Sequence, residues 1–371
     1  HAAHISSDPS DSGTGPFLAQ VLMAWQEREN KEVLTELRKA IYDQSDDVFT
    51  VTLPLLHQPL DAIDRQPEWL VGPEIKERLS ESEILKSVCE AFEVASSHRA
   101  ILEKTLFLQR IVALGCFGVY LYVINRACEM HGRESRVPIL LASPLVQPEV
   151  REASRATLIR ARQQVEQAFE LGLRREMSYR GEDRLDAGGY RSFVDRLLTH
   201  RTESGTRGKM ERDAWSWFVD EYAAQLVASE SPFEAFVRVF TRMAFLHYDR
   251  SPEDFIEYLG RLQGLVYPRE GGRGLKYYRP TPSFLDMLCV ALLKPGDEVT
   301  AEEFWDRAWR KFGIVSGYRG TLDAECLAEW GVRQTSISRL RQNGHELIQE
   351  LKRMGLAEEF ADDVCVIRIV A

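Results

Sequence analysis

Apolar residues recur at helical spacing along most of the chain, which predicts a mainly α-helical protein with a few short extended pieces. Between Phe17 and Tyr42, residues Leu18, Val21, Leu22, Trp25, Val33, Leu37 and Ile41 follow this spacing, and a polar break at Asn30 divides them into two short helices. Val48 to Leu56 is rich in β-branched residues and meets Pro54 and Pro59, a pattern that suits a brief extended piece. Glu74 to Leu79 and Ser82 to Val94 again read as helices, with Ser80 as a cap and Glu83 three residues on. The most hydrophobic stretch is Leu106 to Ile124. Gln109 and Arg110 shorten its unbroken apolar run, so it is expected to be the buried central helix of a domain and not a membrane span.

Arg136 to Ala142 is apolar and bounded by Pro144, as a short strand or a buried linker would be. Pro148 then opens a long helix to about Gly172, with Glu149 and Glu152 in its first turn and Arg174 and Arg175 near its end, the polarity that complements a helix dipole. Arg151, Arg155, Arg160 and Arg162 form a basic face expected to be solvated. Gly181, Gly188, Gly189, Gly205 and Gly208 mark a mobile connection around one short helix, Tyr190 to Leu198. Helices at Glu211 to Ala228, Pro232 to Tyr248 and Pro252 to Leu262 carry Trp215, Trp217, Phe218, Phe233, Phe236 and Phe240, enough for an aromatic core. The pattern divides into a linker at 1–16, helical domains at 17–145 and 146–266, a Gly/Arg/Tyr linker at 267–281 and a C-terminal domain at 282–371.

That last domain has the most legible order: helix Ser283 to Leu293, a turn at Lys294 to Asp297, helix Ala301 to Phe312, an insertion from Gly313 to Trp330, helix Thr335 to Met354 and two strands. Thr300 with Glu303 makes a capping box, Gly355 ends the last helix, and Leu356 to Phe360 can pair with Val364 to Val370 as a hairpin. Three helices followed by a hairpin resemble a winged helix, so the expected fold class is mainly α with a minor β component, a multidomain helical protein ending in a winged-helix-like domain. In a winged helix that binds nucleic acid the third helix lies in the major groove. The resemblance therefore places Arg333, Gln334, Thr335, Ser336, Ser338, Arg339, Arg341, Gln342 and Asn343 at the groove. The wing carries Glu358, Glu359, Asp362 and Asp363, which would repel phosphate, and docking of a partner protein is the alternative use of such a module.

A second candidate is the loop from Tyr267 to Arg279. Arg269, Arg273, Lys276 and Arg279 offer charge there, and Tyr267, Tyr277 and Tyr278 could stack on bases. The alternative is an interdomain linker whose tyrosines cover the C-terminal module. His200, Arg201, Arg207, Lys209 and Arg212 form a weaker set of the same kind.

Composition narrows the partners. At 371 residues with 44% hydrophobic and 28% charged residues the chain can bury several cores. Its net charge of -10 gives no overall attraction to phosphate or to an anionic bilayer, so DNA contact must be local and no membrane partner is expected. Six cysteines without a CxxC pair fit a reducing, cytoplasmic setting. Ser204 to Met210 has the wrong glycine spacing for a phosphate loop, and His57, His98, His131, His200, His247 and His345 are isolated without an HExxH, so neither cofactor nor metal nor catalytic residue is assigned.

An acidic helical body with a terminal winged helix resembles accessory subunits of prokaryotic DNA-processing and anti-phage defence systems. That resemblance implies a non-catalytic adaptor that binds DNA or docks protein subunits, with the ATPase or nuclease supplied by a partner. The alternatives are a metal-dependent nuclease or other hydrolase whose site is assembled from distant residues, and a transcription regulator.

Overall fold

Helices joined by strands of two to four residues make up the computed structural model, which describes residues 14–29, 33–42, 73–199, 207–229, 231–246, 252–268, 270, 275–332, 335–360 and 364–369. The extended piece expected at Val48 to Leu56 lies outside these residues. In chain order come α1 (Thr14–Glu29), α2 (Val33–Tyr42), α3 (Pro73–Glu81), α4 (Glu83–Ser96), α5 (Lys104–Met130) and β1 (Ile139–Leu140). Five helices follow: α6 (Pro148–Tyr179), α7 (Ala187–Thr199), α8 (Arg207–Ala228), α9 (Pro232–Leu246) and α10 (Pro252–Leu262). Then β2 (Val266–Tyr267), β3 (Tyr277–Tyr278), α11 (Pro282–Leu292), β4 (Glu298–Thr300), α12 (Ala301–Phe312) and β5 (Ile314–Val315) lead to α13 (Thr321–Glu329), α14 (Ile337–Arg353), β6 (Ala357–Glu359) and β7 (Cys365–Arg368). The protein is thus mainly α with a minor β component.

Local signals explain most of these boundaries, with two corrections. The first helix starts at Thr14, inside the stretch assigned to a linker. Ser82, not Ser80, caps α4: its extended backbone lets Oγ accept from the Leu85 N–H at 3.0 Å, whereas the Ser80 hydroxyl donates back to the Glu77 carbonyl. Thr300 caps α12 by accepting from the Glu303 N–H, and Gly313 ends it in the left-handed conformation at φ 70°.

The helices group into two compact units, one formed by His1–Tyr122, Arg136–Leu158 and Leu259–Ala371, the other by Val123–Ser135 and Ile159–Tyr258. The divisions drawn from sequence at 145/146 and 281/282 therefore fall inside the first unit. Long-range pairing is the reason. β1 pairs in parallel with β5, Ile139 opposite Ile314 and Leu140 opposite Val315, and the Ala142 N–H donates to the Tyr278 carbonyl at 2.8 Å. Segments read as separate domains thereby share one core, in which Leu140, Val150, Val315, Leu327 and Leu340 are all buried.

Within the first unit, α5 has its Phe107, Leu114, Phe117, Tyr120 and Leu121 almost wholly enclosed, and Phe117 meets Phe284 and Phe312 edge-on at 5.1 and 5.4 Å. Among the described residues this is the one helix long and apolar enough to cross a membrane, and 56% of its most apolar stretch is buried. Arg110, the residue that breaks its apolar run, pairs with Asp286 of α11 at 2.5 Å.

Next to that pair His98 is fully buried, its Nε2 2.6 Å from the Leu293 carbonyl and its Nδ1 without a partner among the described residues. Burial holds its pKa below the usual 6.5, against the upward pull of the Leu293 carbonyl and of Asp297 and Asp286, with Arg110 adding a further downward push. A depressed histidine stays neutral in the fold while the unfolded chain takes up a proton, so stability is lost as pH falls from about 6.5 toward the folded value. His98→Gln, which keeps a donor for Leu293, is expected to flatten the fall in urea midpoint between about pH 6.5 and 5; an unchanged slope would remove His98 from the acid sensitivity.

The second unit has an aromatic core, as the spacing predicts. Tyr190, Phe218, Tyr222 and Phe236 are wholly buried there, with Tyr190 stacked on Phe236 at 4.6 Å. Arg174 of α6 braces α9 through both carboxylate oxygens of Glu234, and Arg162 pairs with Glu257 at 2.8 Å.

Candidate functional site

The final segment of the first unit carries a helix with a polar, exposed face. β4, β7 and β6 form a three-stranded antiparallel sheet in that order, with Val299 opposite Ile367 and Ala357 opposite Ile367 on the other side. The insertion expected between Gly313 and Trp330 is structured: it contains β5 and α13, and a turn through Gly331 at φ 64° joins α13 to α14. The Val332 N–H closes that turn on the Leu327 carbonyl at 3.0 Å. α14 starts at Ser336, whose hydroxyl accepts from the Arg339 N–H, and ends before Gly355 at φ 75°.

One side of α14 is seated by Leu340, Asn343, Gly344, Leu347, Ile348 and Leu351, all buried. Asn343 was expected at the groove; this is a correction. Its amide nitrogen donates to the Leu141 and Ser316 carbonyls, each at 2.7 Å, and its oxygen accepts from the Ser143 N–H at 2.8 Å. The side chain thus bridges the chain just beyond β1 and β5, where their own pairing stops. Gly344 lets α14 approach this bend: a Cβ there would lie 2.5 Å from the Tyr318 nitrogen. The bend itself is held by Asp323, fully buried on α13, which accepts from the Gly317 N–H at 2.8 Å and from Arg319 Nε at 2.8 Å. Burial pushes the Asp323 carboxyl up, opposed by Arg319 and by the Gly317 and Arg319 N–H groups. Asp306 lies 3.5 Å from the same guanidinium, which also stands 5.3 Å from the Trp309 ring centre.

The opposite side of α14 faces outward. Ser338, Arg339, Arg341 and Gln342 of the expected set are exposed, together with Ile337 and His345. Thr335 is buried and Ser336 is engaged as the cap, so neither extends the row, and Arg333 and Gln334 lie outside the described residues. Arg341 lies over Gly320, where a Cβ would come within 2.6 Å of its Nε.

The second expected set does not assemble. Tyr277 and Tyr278 are buried, because they form β3 and pair antiparallel with β2. The Tyr278 hydroxyl is 2.5 Å from that of Tyr120, and its backbone N–H and C=O both bond the Ser154 hydroxyl. Such rings cannot stack on bases. Lys276 is buried too, donating to the Pro268 carbonyl at 3.1 Å, and Arg279 lies over the Tyr267 ring at 4.4 Å. Arg269, Arg273, His200 and Arg201 lie outside the described residues, and Arg207, Lys209 and Arg212 belong to α8.

Two acids that the sequence assigned to the start of a helix, and not to this face, lie beside Arg339. Glu149, in the first turn of α6, and Glu152, just beyond it, line a cleft of about 830 Å3 with Thr335, Ser336 and Arg339. Glu149 is 3.6 Å from Arg339. The acidic hairpin is less negative than its sequence suggests, because Glu358 pairs with Arg368 at 2.6 Å and Glu359 with Lys352. Asp362 and Asp363 lie outside the described residues. No group of three or more metal-ligating side chains comes together among the described residues. Comparison with protein families, with curated proteins and with solved structures found no match to the chain.

Proposed function

We propose that this chain is a non-catalytic binding subunit that contacts duplex DNA through the outer face of α14. The exposed row Ser338, Arg339, Arg341 and Gln342, on a helix anchored from behind by Asn343 and Gly344, is the observation that carries the reading. Two helices joined at Gly331, set among α11, β4, α12 and the β6–β7 hairpin, are the arrangement expected of a winged helix, in which the second of the pair enters the major groove. The residue types suit base edges: Arg matches guanine, Gln matches adenine and Ser serves either. With a net charge of -10 the chain relies on this local row and not on a general field.

Arg339→Ala with Arg341→Ala is expected to weaken duplex binding about tenfold and to reduce the slope of log K against log salt by about one to two, read by fluorescence anisotropy. Affinity and slope both unchanged would assign α14 to a protein partner. That second reading is favoured by the acidic neighbours Glu149 and Glu152. The resemblance drawn from sequence supports an adaptor role in a DNA-processing or anti-phage complex. Recovery with an ATPase or nuclease in a pull-down from the native host supports it, a palindromic footprint for the chain alone favours a regulator, and metal-dependent cleavage by the isolated chain removes the non-catalytic reading.

A further inference from the structure

We infer that Glu149 and Glu152 are selectivity residues of the α14 face, holding Arg339 away from indiscriminate contact with phosphate so that base edges, and not backbone charge, decide which duplex is bound. The inference rests on the duplex reading above and adds residues from α6, a helix outside the C-terminal segment.

The outward row is already engaged with its own chain. Arg339 Nε lies 3.6 Å from Glu149, and its Nη1 donates to Gln342 Oε1 at 3.3 Å. Gln342 Nε2 in turn donates to Glu346 Oε1 at 3.2 Å, and the other Glu346 oxygen accepts from the Ser143 hydroxyl. A continuous polar chain therefore runs from Glu149 through Arg339 and Gln342 to Glu346, with a carboxylate at each end. The two side chains best suited to reading guanine and adenine both lie inside it.

The Arg339–Glu149 contact is long, and its side chains are 45% and 66% exposed, so it is an exchangeable partnership and not a lock. Its effect depends on what approaches. A phosphate reaching Arg339 meets the Glu149 carboxylate beside it and a second carboxylate, Glu152, lining the same cleft. The O6 and N7 atoms of a guanine carry no net charge, so the same carboxylates oppose them far less. Glu152 is in addition 3.3 Å from Arg155, an exposed pair that leaves its carboxylate open to the cleft. Carboxylates placed against a reading arginine thus lower non-specific affinity more than specific affinity, and the ratio between the two is what a DNA-binding subunit needs among many competing sites.

The test uses the full chain and a labelled mixed-sequence duplex, with binding followed by anisotropy over a salt series. Glu149→Gln with Glu152→Gln is expected to raise affinity for this duplex about threefold to tenfold and to steepen the salt dependence by about one. In an Arg339→Ala background the gain from Glu149→Gln is expected to shrink below about twofold, because the acid acts through that arginine. Unchanged affinity in the double glutamine variant, while the wild type binds with ordinary salt dependence, overturns the inference and leaves the duplex reading standing. An undiminished gain in the Arg339→Ala background also overturns it, since it marks a general charge effect. Absence of binding by wild type and variant alike, even at low salt, removes both.

Discussion

Asn343→Leu is expected to lower the stability of the first unit by about 3–9 kcal/mol, as three buried backbone groups lose their partner and each stranded group costs about 1–3 kcal/mol. The groups are the Leu141 and Ser316 carbonyls and the Ser143 N–H, all bonded by one carboxamide between 2.7 and 2.8 Å. Leu is close to Asn in size, so the loss reports hydrogen bonding and not a cavity. Asn343→Asp should fare little better: it keeps an acceptor for Ser143 but turns an oxygen toward two carbonyls. Urea unfolding followed by circular dichroism checks both variants. A groove residue would behave in the opposite way, with unfolding unchanged and duplex affinity reduced, so the same pair of measurements separates the two placements of Asn343.

Asp323→Ala is expected to be comparably severe, about 3–5 kcal/mol, because it leaves the Arg319 guanidinium buried without its main counter-charge. The Arg319 side chain is 6% exposed and that of Asp323 is wholly buried, so water cannot take over the lost contact. Asp306 is the nearest other carboxylate, and at 3.5 Å it replaces little. The N–H groups of Gly317 and Arg319 also lose their acceptor, which loosens the bend that Gly344 packs against. Removing both charges, as Arg319→Leu with Asp323→Ala, should recover part of the stability, since an absent buried pair costs less than a broken one. A single variant no less stable than the double one would contradict this account. The functional consequence follows through α14: the single variant should lose duplex affinity in step with its stability, without the change in salt slope expected of Arg339→Ala with Arg341→Ala.

Both predictions concern side chains whose role could be read only in part beforehand. Asn343 stands three residues after Leu340 and four before Leu347, in phase with the buried row of α14, so helical periodicity alone places it inward. It was grouped with its polar neighbours by type, and type misled. Tyr277 and Tyr278 were judged by the glycine and arginine content around them, yet two strands of two residues each are enough to close a hairpin and enclose both rings. Glu149 was recognised as a first-turn acid suited to the dipole of a helix starting at Pro148. Nothing in the spacing of residues could set it against Arg339, which lies far along the chain.

The sequence by itself determined most of the helices, the Thr300 cap, the stop at Gly355 and the aromatic core of the second unit, because these depend on periodicity and on neighbours within a turn or two, whereas the Ser82 cap and the helix α13 inside the expected insertion were missed. Only the tertiary structure decided that β1 joins β5, that residues 136–158 and 259–371 share a core, and which polar side chains of α14 point inward. Those outcomes depend on contacts between segments far apart in the chain, where a two-residue strand or a single carboxamide carries too little local pattern to name its partner.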